Sequence, residues 1–169
     1  WAVIIGIDNY QYLSNLDYAV KDAEALKEML ISRFDFPEEN IKLLINEYAN
    51  KKNIANAIYE ISIKNAGKND RILIFFAGHG ETIPLPEGGE MGYLIPIDGN
   101  RNNLFESAIP MEDLKRLSYM SKAKHMLFLV DACYGGLAAV GSRGLEPAKI
   151  PNYLDKISSI KSRQIITAG

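Results

Sequence analysis

Arg71-Ile72-Leu73-Ile74-Phe75-Phe76-Ala77-Gly78-His79-Gly80-Glu81 is an apolar run without polar alternation that breaks at a histidine held between two glycines. A second stretch has the same form: His125-Met126-Leu127-Phe128-Leu129-Val130 leads into Asp131-Ala132-Cys133-Tyr134-Gly135-Gly136. Short runs that are apolar at successive positions suit strands covered on both faces, as in a parallel sheet. Each run delivers a reactive side chain to its end, since His79 is one of 2 histidines and Cys133 the single cysteine. Neighbouring parallel strands would bring this base and this nucleophile to one edge, which is what a cysteine hydrolase requires.

With these two strands, which span residues 71–77 and 124–130, apolar runs of strand length at residues 1–7, 41–45 and 164–168 alternate with stretches of helical period. Ala23, Leu26, Met29, Leu30 and Phe34 fall at three- and four-residue steps and predict a first helix, with Asp17 as its cap. Ile54, Ile58 and Ile61 make a second stripe, capped by Asn50 and stopped at Asn65-Ala66-Gly67. A shorter third helix is expected from Pro110 to about Tyr119, with Met111, Leu114 and Leu117 facing inward. Residues 81–92, rich in proline, glycine and glutamate, read as a loop followed by a short rim strand at 93–97. Residues 135–162 form a longer interruption, and basic residues cluster there and just beyond at Arg143, Lys149, Lys156, Lys161 and Arg163. The expected fold is α/β: a doubly wound, mostly parallel sheet with helices on both faces, in three αβα layers. Ligands in such sheets sit beyond the carboxyl ends of the strands.

The chain of 169 residues, 47% of them apolar, suits one domain. A net charge of −2 offers no basic surface to track a phosphate backbone, so nucleic acid is not expected as a partner. No apolar run approaches the roughly 18 residues of a membrane span. A single cysteine forms no internal disulfide and points to a reducing, cytoplasmic setting. The start at Trp1 and the end at Gly169, straight after an apolar run, read as a piece of something longer.

A thiol with a reference pKa of about 8.5 is only slightly ionised at neutral pH, and a nearby imidazole raises its thiolate fraction and later protonates the leaving amine. The backbone N–H groups of Gly80 and Cys133 lie on the two loops that would flank a bound peptide, where an oxyanion needs donors. Taken singly, a cysteine after a strand is ordinarily a small buried hydrophobe, and Gly-His-Gly is an ordinary turn. Both reaching strand ends beside glycine is what favours chemistry. His125 lies at the opposite end of its strand and reads as structural. Asp131 shares a strand face with Cys133 and either caps an orphan N–H or lines a pocket for a cation. A nucleotide or flavin binder is disfavoured, because Gly78-His79-Gly80 lacks the G-x-G-x-x-G spacing.

At these residues the chain resembles the caspase superfamily, whose cysteine signature is Gln-Ala-Cys-x-Gly with a histidine roughly 50 residues upstream. Asp131-Ala132-Cys133-Tyr134-Gly135 is similar to the variant in metacaspases and their bacterial relatives, and Gly78-His79-Gly80-Glu81 resembles the superfamily histidine motif. Residues 1–9 resemble the first strand, and residues 16–23 the Leu-x-x-Ala/Cys-x-x-Asp-Ala segment that opens the first helix. The resemblance implies a caspase-like catalytic domain over residues 1–169: a large-subunit region at 1–134, a linker at 135–162 that is often cut during activation, and the start of a small subunit at 163–169 whose remainder would be a partner. It implies His79 as base and general acid, Cys133 as nucleophile, and Gly80 with the Cys133 amide as oxyanion donors. Asp22 and Asp131 match the acids of the first specificity pocket, which implies a polypeptide substrate cut after arginine or lysine.

Animal caspases place an arginine early, and residues 9–22 contain none, which disfavours cleavage after aspartate. Ala77 departs from the serine that metacaspases carry two residues before the histidine. No cofactor is required by the likeness. Many metacaspases use calcium, for which Asp98 and Glu90 are the rim acids of interest, although no D-x-D-x-D-G loop occurs. The rival expectations are a catalytically silent caspase-like interaction module and a legumain- or gingipain-like peptidase of the same clan.

Overall fold

The computed structural model describes residues 1–132 and 161–168. In chain order the elements are β1 (Ala2–Gly6), α1 (Ala19–Phe34), β2 (Ile41–Ile45), α2 (Lys51–Tyr59, continued by a widened turn at Glu60–Asn65), β3 (Arg71–Ala77), β4 (Gly80–Pro84), β5 (Glu90–Leu94), α3 (Leu104–Ser107), β6 (Ile109–Pro110), α4 (Met111–Met120), β7 (His125–Asp131) and β8 (Ser162–Ala168). Five strands form a fully parallel sheet in the order β2-β1-β3-β7-β8, and β4-β5-β6 make a separate antiparallel ribbon.

The absence of polar alternation in β1, β3 and β7 has the expected consequence that successive residues enter two different cores. Val3, Ile5, Ile72, Ile74, Phe76, Met126, Phe128 and Val130 pack with Ile54, Ile58 and Ile61 of α2 and its extension and with Leu114 of α4. Their neighbours Ala2, Ile4, Leu73, Phe75, Leu127 and Leu129 pack on the other face with Ala23, Leu26 and Leu30 of α1. Helices on both faces of a parallel sheet make the three-layer αβα architecture.

Helix α1 approaches β1 closely because Gly6 has no side chain. A Cβ there would stand 2.5 Å from the Ala19 carbonyl oxygen and 2.7 Å from the Ala23 Cβ. Its cap is not Asp17. Asp8, at the exit of β1, accepts from the Ala19 N–H at 2.8 Å and the Val20 N–H at 3.4 Å, so the strand before the helix supplies its own cap from 11 residues away. Within the predicted stripe, Ala23 and Leu30 are buried while Met29 and Phe34 are exposed, because the seam with the sheet is filled by Ala23, Leu26 and Leu30. Asn50 caps α2 as expected, its side chain accepting from the Asn53 N–H at 2.8 Å. Helix α4 starts one residue after Pro110, with Leu114 buried.

Residues 81–92 are not a loop. Gly80–Pro84 and Glu90–Leu94 pair as an antiparallel hairpin, turned by Gly88 and Gly89 at φ 93° and 86°. The strand expected at residues 93–97 therefore begins at Glu90 and ends at Leu94. At the other interruption, β8 begins at Ser162, so the last residue of the expected linker and Arg163 belong to the sheet. Residues 135–160 lie outside the described residues. Among the described residues no helix is long and apolar enough to cross a membrane.

The strand order reverses between β1 and β3: from β1 the chain passes to β2 on one side, whereas from β3 it passes to β7 on the other. The connections leaving these two strands, residues 7–18 and Gly78-His79, diverge at the carboxyl ends, where ligands sit in sheets of this kind.

Candidate active site

His79 emerges directly from the end of β3 and is held from four directions. Its N–H donates to the Tyr10 hydroxyl at 2.8 Å, and its carbonyl accepts from the Ile95 N–H at 3.0 Å. The preceding Gly78 N–H donates to the Asp131 carbonyl at 3.1 Å, which ties the turn to β7. The imidazole itself places Nε2 2.9 Å from the Ser14 carbonyl oxygen. A carbonyl only accepts, so in the neutral ring Nε2 carries the proton and Nδ1 is the basic nitrogen.

Tyr10 is the centre of this arrangement. It is only 9% exposed, and its ring lies 4.7 Å from the imidazole, centroid to centroid, tilted by 52°. Burial raises its hydroxyl well above the ordinary tyrosine range, partly offset by the bond from the His79 N–H, so it stays neutral. Any Cβ at Gly78 would collide with the Tyr10 hydroxyl and crowd the Phe76 ring, which explains the glycine before His79. The loop carrying Tyr10 and Ser14 is itself fixed. The Asn46 side chain accepts from the Asp8 and Asn9 N–H groups at 3.0 Å each, and Asn15 accepts from the Tyr10 N–H at 3.1 Å. Neither Tyr10 nor the Ser14 carbonyl was expected from the sequence. Tyr10 has a signal in its position just after the first strand; a backbone carbonyl has none.

β3 and β7 end flush, Ala77 opposite Asp131, with Gly78 hydrogen-bonded across to Asp131. Ala132 is buried at the strand exit. Cys133, the next residue, lies outside the described residues. Gly80 opens β4 and is buried. Because the Ile95 N–H donates to the His79 carbonyl and the Leu85 N–H to the Gly89 carbonyl at either end of the ladder, the antiparallel alternation turns the Gly80 N–H away from β5.

The two acids fall on one side of the sheet. In β7, Met126, Phe128 and Val130 enter the core beneath α2 and α4, whereas Leu127 and Leu129 enter the core beneath α1. Asp131 continues the second series and faces the α1 side. Asp22 sits in the first turn of α1, at the same carboxyl edge, and both acids are exposed. Neither is in an ion pair among the described residues. His125 stands at the opposite, amino end of β7, where its Nδ1 lies 3.3 Å from the Arg71 Nε. Asp98 is committed to capping α2 through the Lys51 N–H at 2.9 Å, and among the described residues no three histidine, cysteine or acidic side chains gather as a metal site.

A parallel αβα sheet with a supported histidine at one strand end, flush with the strand that leads into Asp-Ala-Cys, defines a class of αβα domain. The caspase-domain model of the Peptidase C14 family matches residues 1–164, and the chain belongs to that family. Among curated proteins, it is 31% identical to Metacaspase-7 of Arabidopsis thaliana over 95% of this chain and 41% of that protein. It is 30% identical to Metacaspase-2 of the same plant, covering 80% of this chain and 34% of that protein. Metacaspase-1 of Eremothecium gossypii is 28% identical, over 81% of this chain and 32% of its own length. The chain therefore spans well under half of these relatives. Among solved structures, protein GSU0716 of Geobacter sulfurreducens superposes with a TM-score of 0.65 at 20% identity, covering 80% of this chain and 50% of that one, which supports the fold.

Proposed function

We propose that this domain is a cysteine endopeptidase that cuts polypeptides after arginine or lysine with a Cys133–His79 dyad. The observation that carries the reading is the flush β3–β7 register, with the Gly78 N–H bonded to the Asp131 carbonyl, which sets the exits toward His79 and toward Cys133 side by side. Nδ1 of His79, left basic by the Ser14 carbonyl, takes the thiol proton as sulfur attacks the scissile carbonyl. The Gly80 N–H, turned away from β5, and the Cys133 N–H receive the developing oxyanion. The imidazolium protonates the leaving amine, and water, activated by the same Nδ1, then releases the acyl group from sulfur. Asp22 and Asp131, on one side of the sheet, suit the guanidinium or ammonium of the residue before the cut.

Metacaspase relatives and the caspase-domain match support this reading. The single cysteine suits a reducing cytoplasmic compartment. β8 would be the first strand of the small subunit, and its exposed Ile165 and Ile166 offer the remainder of that subunit an apolar surface. Arg143 and Lys149 in the linker are candidate self-cleavage sites. Intact-mass analysis should then show linker cleavage in wild type and none in Cys133→Ala. The deciding experiment is a positional scan of fluorogenic peptides on the full-length protein, with and without calcium, beside labelling by an arginyl chloromethyl ketone. Turnover after arginine or lysine, and labelling lost in Cys133→Ala, are expected. Turnover after aspartate, or no labelling, overturns the reading.

A further inference from the structure

We propose that the outer edge of β4 binds the part of the polypeptide substrate that follows the scissile bond, as an added β-strand; this rests on the cysteine-peptidase reading. β4 begins at the residue after His79, so it is continuous with the base. The Ile95 N–H to His79 carbonyl bond at one end of the ladder and the Leu85 N–H to Gly89 carbonyl bond at the other set its phase, which commits Glu81 and Ile83 to β5 and turns the peptide groups of Gly80, Thr82 and Pro84 toward the other edge. Pro84 corroborates this assignment. A proline is tolerated where no ladder bond is lost, and there it also ends the row of donors. Among the described residues β4 is an edge strand with no partner on that side. The ribbon carrying it is braced: Glu81 pairs with Arg101 at 2.7 Å, and β5 pairs in turn with β6.

The side of the cut follows from the chemistry. The imidazole must reach the leaving nitrogen to protonate it, so the strand that grows out of the base lies on the leaving-group side. Outward-facing residues recur every second position, about 6.8 Å apart, which is the span of two extended substrate residues. With the Gly80 N–H on the scissile carbonyl, the Thr82 peptide group meets the second residue past the cut. Main-chain pairing of this kind recognises an extended polypeptide largely regardless of its side chains.

Two substrates with identical residues up to the cut test this on the full-length protein. One carries aminomethylcoumarin directly after the cut; the other is an internally quenched peptide continuing for four residues. Thr82→Pro removes only an outward N–H, leaving the β4–β5 ladder intact. It is expected to lower the ratio of kcat/KM for the extended peptide to that for the coumarin substrate about tenfold, the size of one backbone hydrogen bond. Independently of any variant, an ester in place of the amide at the second residue past the cut should slow wild-type cleavage by a similar factor. An unchanged ratio together with an unaffected ester overturns the added strand while leaving the peptidase standing. Failure of wild type to cleave either substrate removes the peptidase reading itself, and the added strand with it.

Discussion

Replacing Tyr10 by phenylalanine separates its hydroxyl from its ring. The ring stays beside the imidazole, whose centroid is 4.7 Å away, but the His79 N–H loses the acceptor it now has at 2.8 Å. At a site where Tyr10 is 9% exposed, an abandoned donor costs about 1–3 kcal/mol, which urea unfolding at pH 7 would register directly. The pH dependence is a sharper signature. Burial holds the Tyr10 hydroxyl protonated in the folded chain well above the reference value of about 10 at which it ionises when unfolded. The unfolded state therefore sheds a proton first, and the stability supplied by the neutral hydroxyl is complete below pH 10 and is lost as pH rises beyond it. Relative to Tyr10→Phe, wild type should lose ~1.4 kcal/mol by pH 11, while lysines and the other tyrosines cancel in the difference. In turnover the expected loss is about tenfold in kcat with KM within twofold, since each tenfold corresponds to ~1.4 kcal/mol of barrier. A stability gap that is constant from pH 7 to 11, or that is absent at pH 7, refutes the account of Tyr10.

Asp8→Ala removes the acceptor for two N–H groups of α1 and should destabilise the domain by about 1–2 kcal/mol in thermal unfolding, whereas Asp17→Ala should stay within ~0.5 kcal/mol. Gly6→Ala would push a methyl group against the Ala19 carbonyl and Ala23, and at least ~2 kcal/mol of destabilisation is expected by the same measurement. Arg163→Met keeps the aliphatic stem but removes a guanidinium that donates to the carbonyls of Ser118, Ser121, Ala123, Lys124 and Ser162. Those carbonyls would lose their donors, and hydrogen exchange in β8 and in the connection between α4 and β7 should accelerate by at least tenfold while β1 is little changed.

The parallel sheet was legible because its strands carry no polar alternation; a strand buried on both faces advertises itself. The hairpin was not, because Pro84, Gly88 and Gly89 are turn signals wherever they occur. Only the pairing shows that Pro84 falls at an outward position where its missing N–H breaks nothing. Capping failed for a related reason. Asp17 is next to the helix in sequence, but Asp8 reaches the same N–H groups through space once β1 has ended beneath α1. Arg163 stood in the sequence as one of a cluster of basic residues, yet burial lowers its pKa from the free value, and its fork is spent on backbone carbonyls. His79 and Cys133 stood out in the sequence as a base and a nucleophile at strand ends, and Asp131 as a residue on the strand face of Cys133. The support of the imidazole did not, because a tyrosine hydroxyl and a backbone carbonyl become visible only when β1 and β3 are side by side.

That adjacency also divides the site into halves of different dependence. Tyr10, the Ser14 carbonyl, the Ile95 N–H and the Gly78–Asp131 bond all lie within residues 1–132, so these four supports of the His79 segment come from the sheet and its switch point. The flush register supplies the reason this division is stable: β3 and β7 pair along their whole length from Arg71–His125 to Ala77–Asp131, so the exit toward residue 133 cannot slip against His79 without breaking the central ladder of the domain.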